Sequence, residues 1–127
     1  MRRNIRSNSP FEPVVGFSRA VRAGNQVFVS GTVGRVADGT VRETTVYGQA
    51  KKTIENIAAA LAEAGASLND VVRTRVYLLD IDQWEELARA HREAFGANPP
   101  ASSMVEVSRL AATGMLVEIE ADAVIEA

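Results

Sequence analysis

The sequence predicts an α+β fold, a mixed β-sheet with two helices packed on one face. Three observations predict it. Apolar residues recur at helical spacing in two stretches, 44–64 and 80–95. Short runs with strand-type alternation stand before, between and after them. Neither helical stripe can be buried alone, so each needs the sheet as its partner. The expected order is β-β-(β)-α-β-α-β-β.

The first 13 residues, MRRNIRSNSPFEP, carry three Arg and two Pro. They read as a polar lead-in, either loose or draped over a neighbour. This start is basic but lacks the apolar core of a signal peptide. Residues 17–22 and 26–32 flank Ala23-Gly24-Asn25 and read as a hairpin. Phe17, Arg19 and Val21 would share one face of its first strand. The second strand, QVFVSGT, ends in Ser30-Gly31, where glycine permits a close backbone approach. Residues 34–41, with Asp38-Gly39, read as a turn with a candidate short strand.

In the first helix Tyr47, Ala50, Ile54, Ile57, Ala58 and Leu61 form the apolar stripe, with Thr44 or Thr45 as cap and Gly65 as stop. The strand VVRTRVYLL, residues 71–79, turns Val72, Thr74, Val76 and Leu78 to the helix layer. Its other face, Arg73, Arg75, Tyr77 and Leu79, suits a subunit interface or a bare edge. Asp80 with Gln83 opens the second helix. Trp84, Leu87, Ala88, His91 and Phe95 lie on its stripe, which makes His91 a buried, hydrogen-bonded side chain before it is a catalyst. Gly96, Asn98, Pro99 and Pro100 end the helix.

Two strands close the chain, over residues 102–109 and 115–124, joined by LAATG. On the last, Met115, Val117, Ile119, Ala121 and Ala123 share an apolar face. Leu116, Glu118, Glu120 and Asp122 share the opposite one. Three carboxylates there face solvent, a partner chain or a ligand cleft.

At 127 residues, one domain is expected, burying roughly two-thirds of its unfolded surface. The composition, 46% hydrophobic and 24% charged, is ordinary for a globular chain. A net charge of -2 supplies no basic field for a polyanion, so no nucleic acid partner is expected. The absence of Cys excludes disulfides, thiolate nucleophiles and Cys-based zinc sites, and one His cannot build a metal site unaided. No apolar run is long enough for a membrane helix. The reading is of a cytoplasmic protein with no cofactor, no metal and no membrane partner.

The runs PPASSMVEVSRL and MLVEIEADAVI resemble the signature of the RidA-like family, the reactive intermediate deaminases, also called YjgF-like or L-PSP endoribonuclease-like proteins. That signature is roughly P-A-R-[ST]-x-V-E-V-x-x-L followed by V-E-I-E-A-x-A. The resemblance extends from about Gly16 to the C-terminus. It implies a chorismate-mutase-like fold and a homotrimer, with sheets turned inward and three small-molecule clefts between subunits. Glu118 matches the family's Glu that orients water or moves protons as a 2-imino acid is hydrolysed to a 2-keto acid and ammonia. Phe17, Ser30 and Gly31 match cleft-lining positions, with Phe17 where the family commonly has Tyr. Plain core packing suits Phe17 equally well.

One departure bears on function. Where the deaminases carry Arg after Pro-Ala to grip the substrate carboxylate, this chain has Ser102, flanked by the ligand-lining candidates Ala101, Ser103 and Met104. A guanidinium fork makes two charge-assisted bonds to a carboxylate, whereas a hydroxyl supplies no charge. Arg19 is the candidate substitute: it either reaches the cleft, pairing with Glu118 or receiving an anion, or is a surface side chain. Ser102 and Ser103 lack the base that a nucleophile needs, and Glu106 reads as structural.

Three functions follow. The first is a divergent imine or enamine deaminase that uses Glu118 on something other than a simple imino acid. The second is a non-enzymatic, metabolite-binding trimer. The third, an endoribonuclease, is disfavoured by the acidic charge and the lack of a basic, aromatic stripe.

Overall fold

The computed structural model describes residues 1–126. In chain order these form β1 (Arg2–Ile5), α1 (Phe11–Val15), β2 (Ala20–Ala23), β3 (Gln26–Thr32), α2 (Val46–Glu63), β4 (Val71–Leu78), α3 (Trp84–Phe95), β5 (Ala101–Glu106) and β6 (Val117–Val124). The strands make one sheet in the order β1-β2-β3-β6-β4-β5. β4 and β5 are parallel, and α3 is the crossover that joins them. The other pairs are antiparallel.

The core lies between the sheet and the two long helices. From α2 it takes Val46, Ala50, Ile54, Ile57 and Leu61; from α3, Leu87, Ala90 and Phe95. The sheet answers with Val27, Val29, Thr74, Val76, Leu78 and the alternating set Val117, Ile119, Ala121 and Ala123. Thr45 caps α2, its hydroxyl accepting from the Gly48 N–H at 3.0 Å. The opposite face of the sheet carries Arg73, Arg75 and Tyr77 between Glu118, Glu120 and Asp122 on one side and Ala101, Ser103 and Val105 on the other. Arg75 pairs there with Asp122 at 3.2 Å and with Glu120 at 3.6 Å. Phe28, Val72 and Val105 are exposed.

Several expectations are corrected. The start of the chain, expected as a polar lead-in either loose or draped over a neighbour, is an edge strand: Arg2 to Ile5 pair with Ala23 to Ala20, and Ile5 is buried. A short helix then ends at Gly16, whose φ of 86° is a left-handed value that favours glycine. The first hairpin strand begins at Ala20 instead of Phe17, because Arg19 turns its guanidinium into the interior. Between residues 34 and 41 there is a single bridge, Arg35 to Val41. A bulge between Val71 and Arg73 puts Val71 in the core and leaves Val72 48% exposed. On α3, Ala90 is buried, whereas Trp84 is 50% exposed.

Candidate ligand site

Glu118 projects from the open face of β6, next to Tyr77. The β3–β6 register shifts between Val29 and Thr32, so Ser30-Gly31 bulges out of the ladder. The Glu118 carboxylate lies over this bulge, and a Cβ on Gly31 would come within 2.8 Å of Glu118 Cδ. A pocket of about 190 Å³ opens there, lined by Phe17, Arg19, Gly31, Arg35, Met115 and Glu118 among others. Burial raises the Glu118 pKa above the ordinary carboxylate value, and the neighbouring Glu120 raises it further. Arg19 opposes both. Such a carboxyl can hold or release a proton closer to neutrality than a solvated one.

Arg19 shares this pocket but its charge is engaged elsewhere. Its guanidinium donates to the Gly31 carbonyl and, at 3.0 Å, to Thr32 Oγ1. Arg19 Nε lies 3.6 Å from Glu12 Oε2, with both side chains buried. Phe17 packs against the guanidinium, ring centroid to Cζ 5.4 Å. Desolvation lowers the Arg19 pKa, partly offset by Glu12 and then Glu118. Arg19 thus fastens α1 to the bulge beneath Glu118, and its ion-pair partner is Glu12.

Ser102 stands elsewhere. In register, Ser102 neighbours Thr74, and Thr74 neighbours Ala121. Side chains that pair in this way share a face, so Ser102 lies on the helix-bearing face, opposite to Glu118. Its Oγ is 2.7 Å from Thr74 Oγ1, which is 2.9 Å from His91 Nε2. His91 packs against Phe95 with the rings tilted by 46° and centroids 4.7 Å apart, and burial lowers its pKa. Ser102 and Met104 line a groove of about 380 Å³ beside α3.

The single chain therefore divides the residues expected at the site. Phe17, Arg19, Gly31 and Glu118 line the bulge pocket, and Ser102 and Met104 line the α3 groove. Ala101 and Ser103 point to the open face beside Arg73 and Arg75. The Ser30 hydroxyl donates to the Ser18 carbonyl at 2.7 Å, which holds the bulge together. Glu106 Oε1 accepts from the Ile81 N–H at 3.1 Å, a structural bond as expected.

Sequence reasoning missed three contributors. Glu12 falls in the stretch read as a polar lead-in, either loose or draped over a neighbour. Thr74 reads from the sequence only as core, and its one signal there is a hydroxyl on a strand face otherwise made of Val72, Val76 and Leu78. Gln49, fully buried, donates to the Glu43 and Gly114 carbonyls at 2.9 and 2.7 Å and accepts from the Leu116 N–H at 2.8 Å. It ties the loop before β6 to α2.

The family model described as endoribonuclease L-PSP matches residues 7–125. The chain belongs to this family, the RidA-like proteins. A RutC family protein of Pyrococcus abyssi is 41% identical over 116 residues, 87% of either chain. The crystal structure of a YjgF/YER057c/UK114 family member from Mycobacterium tuberculosis is 46% identical, with a TM-score of 0.91 over 98% of this chain and 100% of that one. RidA from an Antarctic Psychrobacter is 32% identical, with a TM-score of 0.82 over 96% and 94%. The mixed sheet with its helices is the YjgF/RidA fold. Among the described residues no helix is long and apolar enough to cross a membrane. RidA-like relatives include a mitochondrial protein of Schizosaccharomyces pombe, so membership alone fixes no compartment.

Proposed function

We propose that this RidA-like chain acts as a homotrimer with small-molecule clefts between subunits, in which Glu118 handles protons during hydrolysis of an imine or enamine. The observation that carries the reading is the half-buried Glu118 carboxylate over the Gly31 bulge, its pKa raised by burial. An enamine first moves a proton from nitrogen to carbon and becomes an imine; water then adds to the C=N carbon, the nitrogen gains protons, and ammonia leaves as the carbonyl forms. Glu118 would take the proton from water and pass it to nitrogen. The opposed faces of Ser102 and Glu118 support a cleft built by two copies, because one chain cannot turn both toward one ligand. The exposed Phe28 and Val105 on the open face suit burial in such an assembly.

A simple 2-imino acid is not the expected substrate. Ser102 brings no charge, and the Arg19 guanidinium is committed to Glu12. Losing one partner of a buried charge pair costs about 2–5 kcal/mol of binding. The same observation favours a second reading, a trimer that binds a metabolite without turning it over. Cleavage of RNA has less support, since the net charge is -2 and the pocket is lined by the acidic side chain of Glu118.

The test is keto-acid release from 2-imino acids generated in situ by an amino-acid oxidase, comparing native protein, Ser102→Arg and Glu118→Ala. The expected result is an inert native protein and a Ser102→Arg variant whose gained activity needs Glu118. A native protein active on simple imino acids would sink the argument from Ser102. Saturable metabolite binding without turnover of any imine or enamine would leave the second reading.

A further inference from the structure

We propose that the groove beside α3 selects the ligand, accepting an apolar or aromatic body whose polar end is uncharged and is read by Ser102 Oγ. This rests on the reading of a small-molecule cleft given above and names what that cleft takes.

The groove has the size and lining of a small-molecule site. Its volume of about 380 Å³ falls within the usual range of roughly 300–1,000 Å³. Leu87 and Phe95, both buried, stand among its apolar walls, with Met104 beside them. Trp84 stands half out of the core at 50% exposure and offers its ring to the groove. An indole left in this position provides a stacking surface for a flat or apolar partner.

The polar end of the groove is the chain Ser102–Thr74–His91. Thr74 is fully buried, so its hydroxyl is confined to these two neighbours. That hydroxyl has one proton and two partners. When it donates to His91 Nε2, Ser102 donates to Thr74 and turns its lone pairs to the groove. When His91 Nε2–H donates to Thr74, the hydroxyl of Thr74 donates to Ser102, which then offers its own proton outward. The two arrangements differ only in the His91 tautomer and the rotation of two hydroxyls. Ser102 can thus meet either an N–H or a carbonyl of an uncharged group.

It cannot meet a carboxylate with an opposite charge. Burial disfavours the charged form of His91, whose ring packs against Phe95. From the sheet, Thr74, Ser102 and Met104 face this region, and none is charged. The charged lining residue is Arg92, exposed on α3.

Trp84 is the sole Trp of the chain, so its fluorescence reports occupancy of the groove. The experiment titrates native protein with benzamide, benzylamine and phenylacetate, then repeats the titrations with Ser102→Ala, His91→Gln, Arg92→Gln and Glu118→Gln. Benzamide should bind at least about tenfold more tightly than phenylacetate. Ser102→Ala and His91→Gln should each weaken benzamide binding, while circular dichroism shows the fold retained. Phenylacetate binding as tight as benzamide, above all if lost in Arg92→Gln, overturns the proposal. So does a lack of response to all three probes at millimolar concentration. If Ser102→Ala and His91→Gln alter binding but Glu118→Gln does not, the groove stands and the shared cleft fails. If Glu118→Gln alone alters it, the shared cleft stands and the selective role of Ser102 fails.

Discussion

Glu118 Oε2 lies where the side chain of any residue larger than Gly31 would begin: a Cβ there would be 2.5 Å away. Gly31 has no positive φ, so its backbone tolerates alanine. The obstacle is the flexible end of Glu118. Gly31→Ala should therefore cost less than about 1 kcal/mol of stability, near the range of mild substitutions. It should displace the carboxylate and lower the Glu118 pKa toward the ordinary value as the group moves to solvent. Carboxyl titration by NMR, alongside thermal unfolding, checks both parts. An unmoved Glu118 titration would refute the contact.

The Arg19–Glu12 pair, 3.6 Å apart and buried on both sides, anchors the first helix. Removing one partner leaves a buried charge uncompensated, at a cost of about 3 kcal/mol. Glu12→Leu and Arg19→Met should each destabilise the protein by that order. The double variant should be more stable than either single one, since no orphan charge remains. Denaturant unfolding of the four proteins gives the coupling directly. Additive losses would mean that the two charges act independently.

How far the sequence spoke for itself follows from these pairs. The alternation of β6 from Val117 to Ala123 and the stripe Ile54, Ile57 and Leu61 were legible, because each follows the period of its own element. The carboxylate face of Glu118 was legible for the same reason. What period cannot convey is which distant segment supplies a partner. Glu12 and Arg19 lie only seven residues apart, yet the bend at Gly16 between them was invisible, and the first five residues show too short a pattern to announce an edge strand. The opposed faces of Ser102 and Glu118 followed only once the registers of β4 with β5 and β6 were known.

The proton equilibrium of Glu118 predicts a stability gain on neutralisation. Burial, then Glu120, raises its pKa in the folded state, with Arg19 opposing. The folded chain thus binds this proton more tightly than the unfolded one. Above the unperturbed value of about 4.3, stability falls as pH rises through the folded pKa. Glu118→Gln should be more stable than the native protein at pH 7.5, with the difference shrinking toward pH 4. Melting temperatures across that range decide it; a Gln variant less stable at pH 7.5 would contradict the assigned desolvation.

Gln49 holds the loop before β6 through three hydrogen bonds, to the Glu43 and Gly114 carbonyls and from the Leu116 N–H. Gln49→Leu keeps the volume but leaves those backbone groups unpaired. A loss of about 2–3 kcal/mol is expected, since each net bond contributes about 1 kcal/mol and orphaned buried groups cost more. Exchange of the Leu116 amide should accelerate more than that of Ile119 in the strand centre. Equal acceleration at both would indicate global destabilisation in place of a loosened loop.

Ser102 and Glu118 point from opposite faces of one sheet, so a ligand touching both must sit between two copies. This gives a complementation test. In the proposed trimer, Glu118→Gln would remove one half of every cleft, and Ser102→Ala would weaken the other half. If the subunits are unfolded together at equal amounts and refolded as mixed rings, about a quarter of the clefts regain both native halves, as head-to-tail interfaces combine at random. Ligand binding that needs both residues should return to about that fraction. A site contained within one subunit gives no recovery, because every chain in the mixture carries a defect. Sedimentation of the mixture establishes that trimers formed, so a failure of assembly is separated from a failure of the shared cleft.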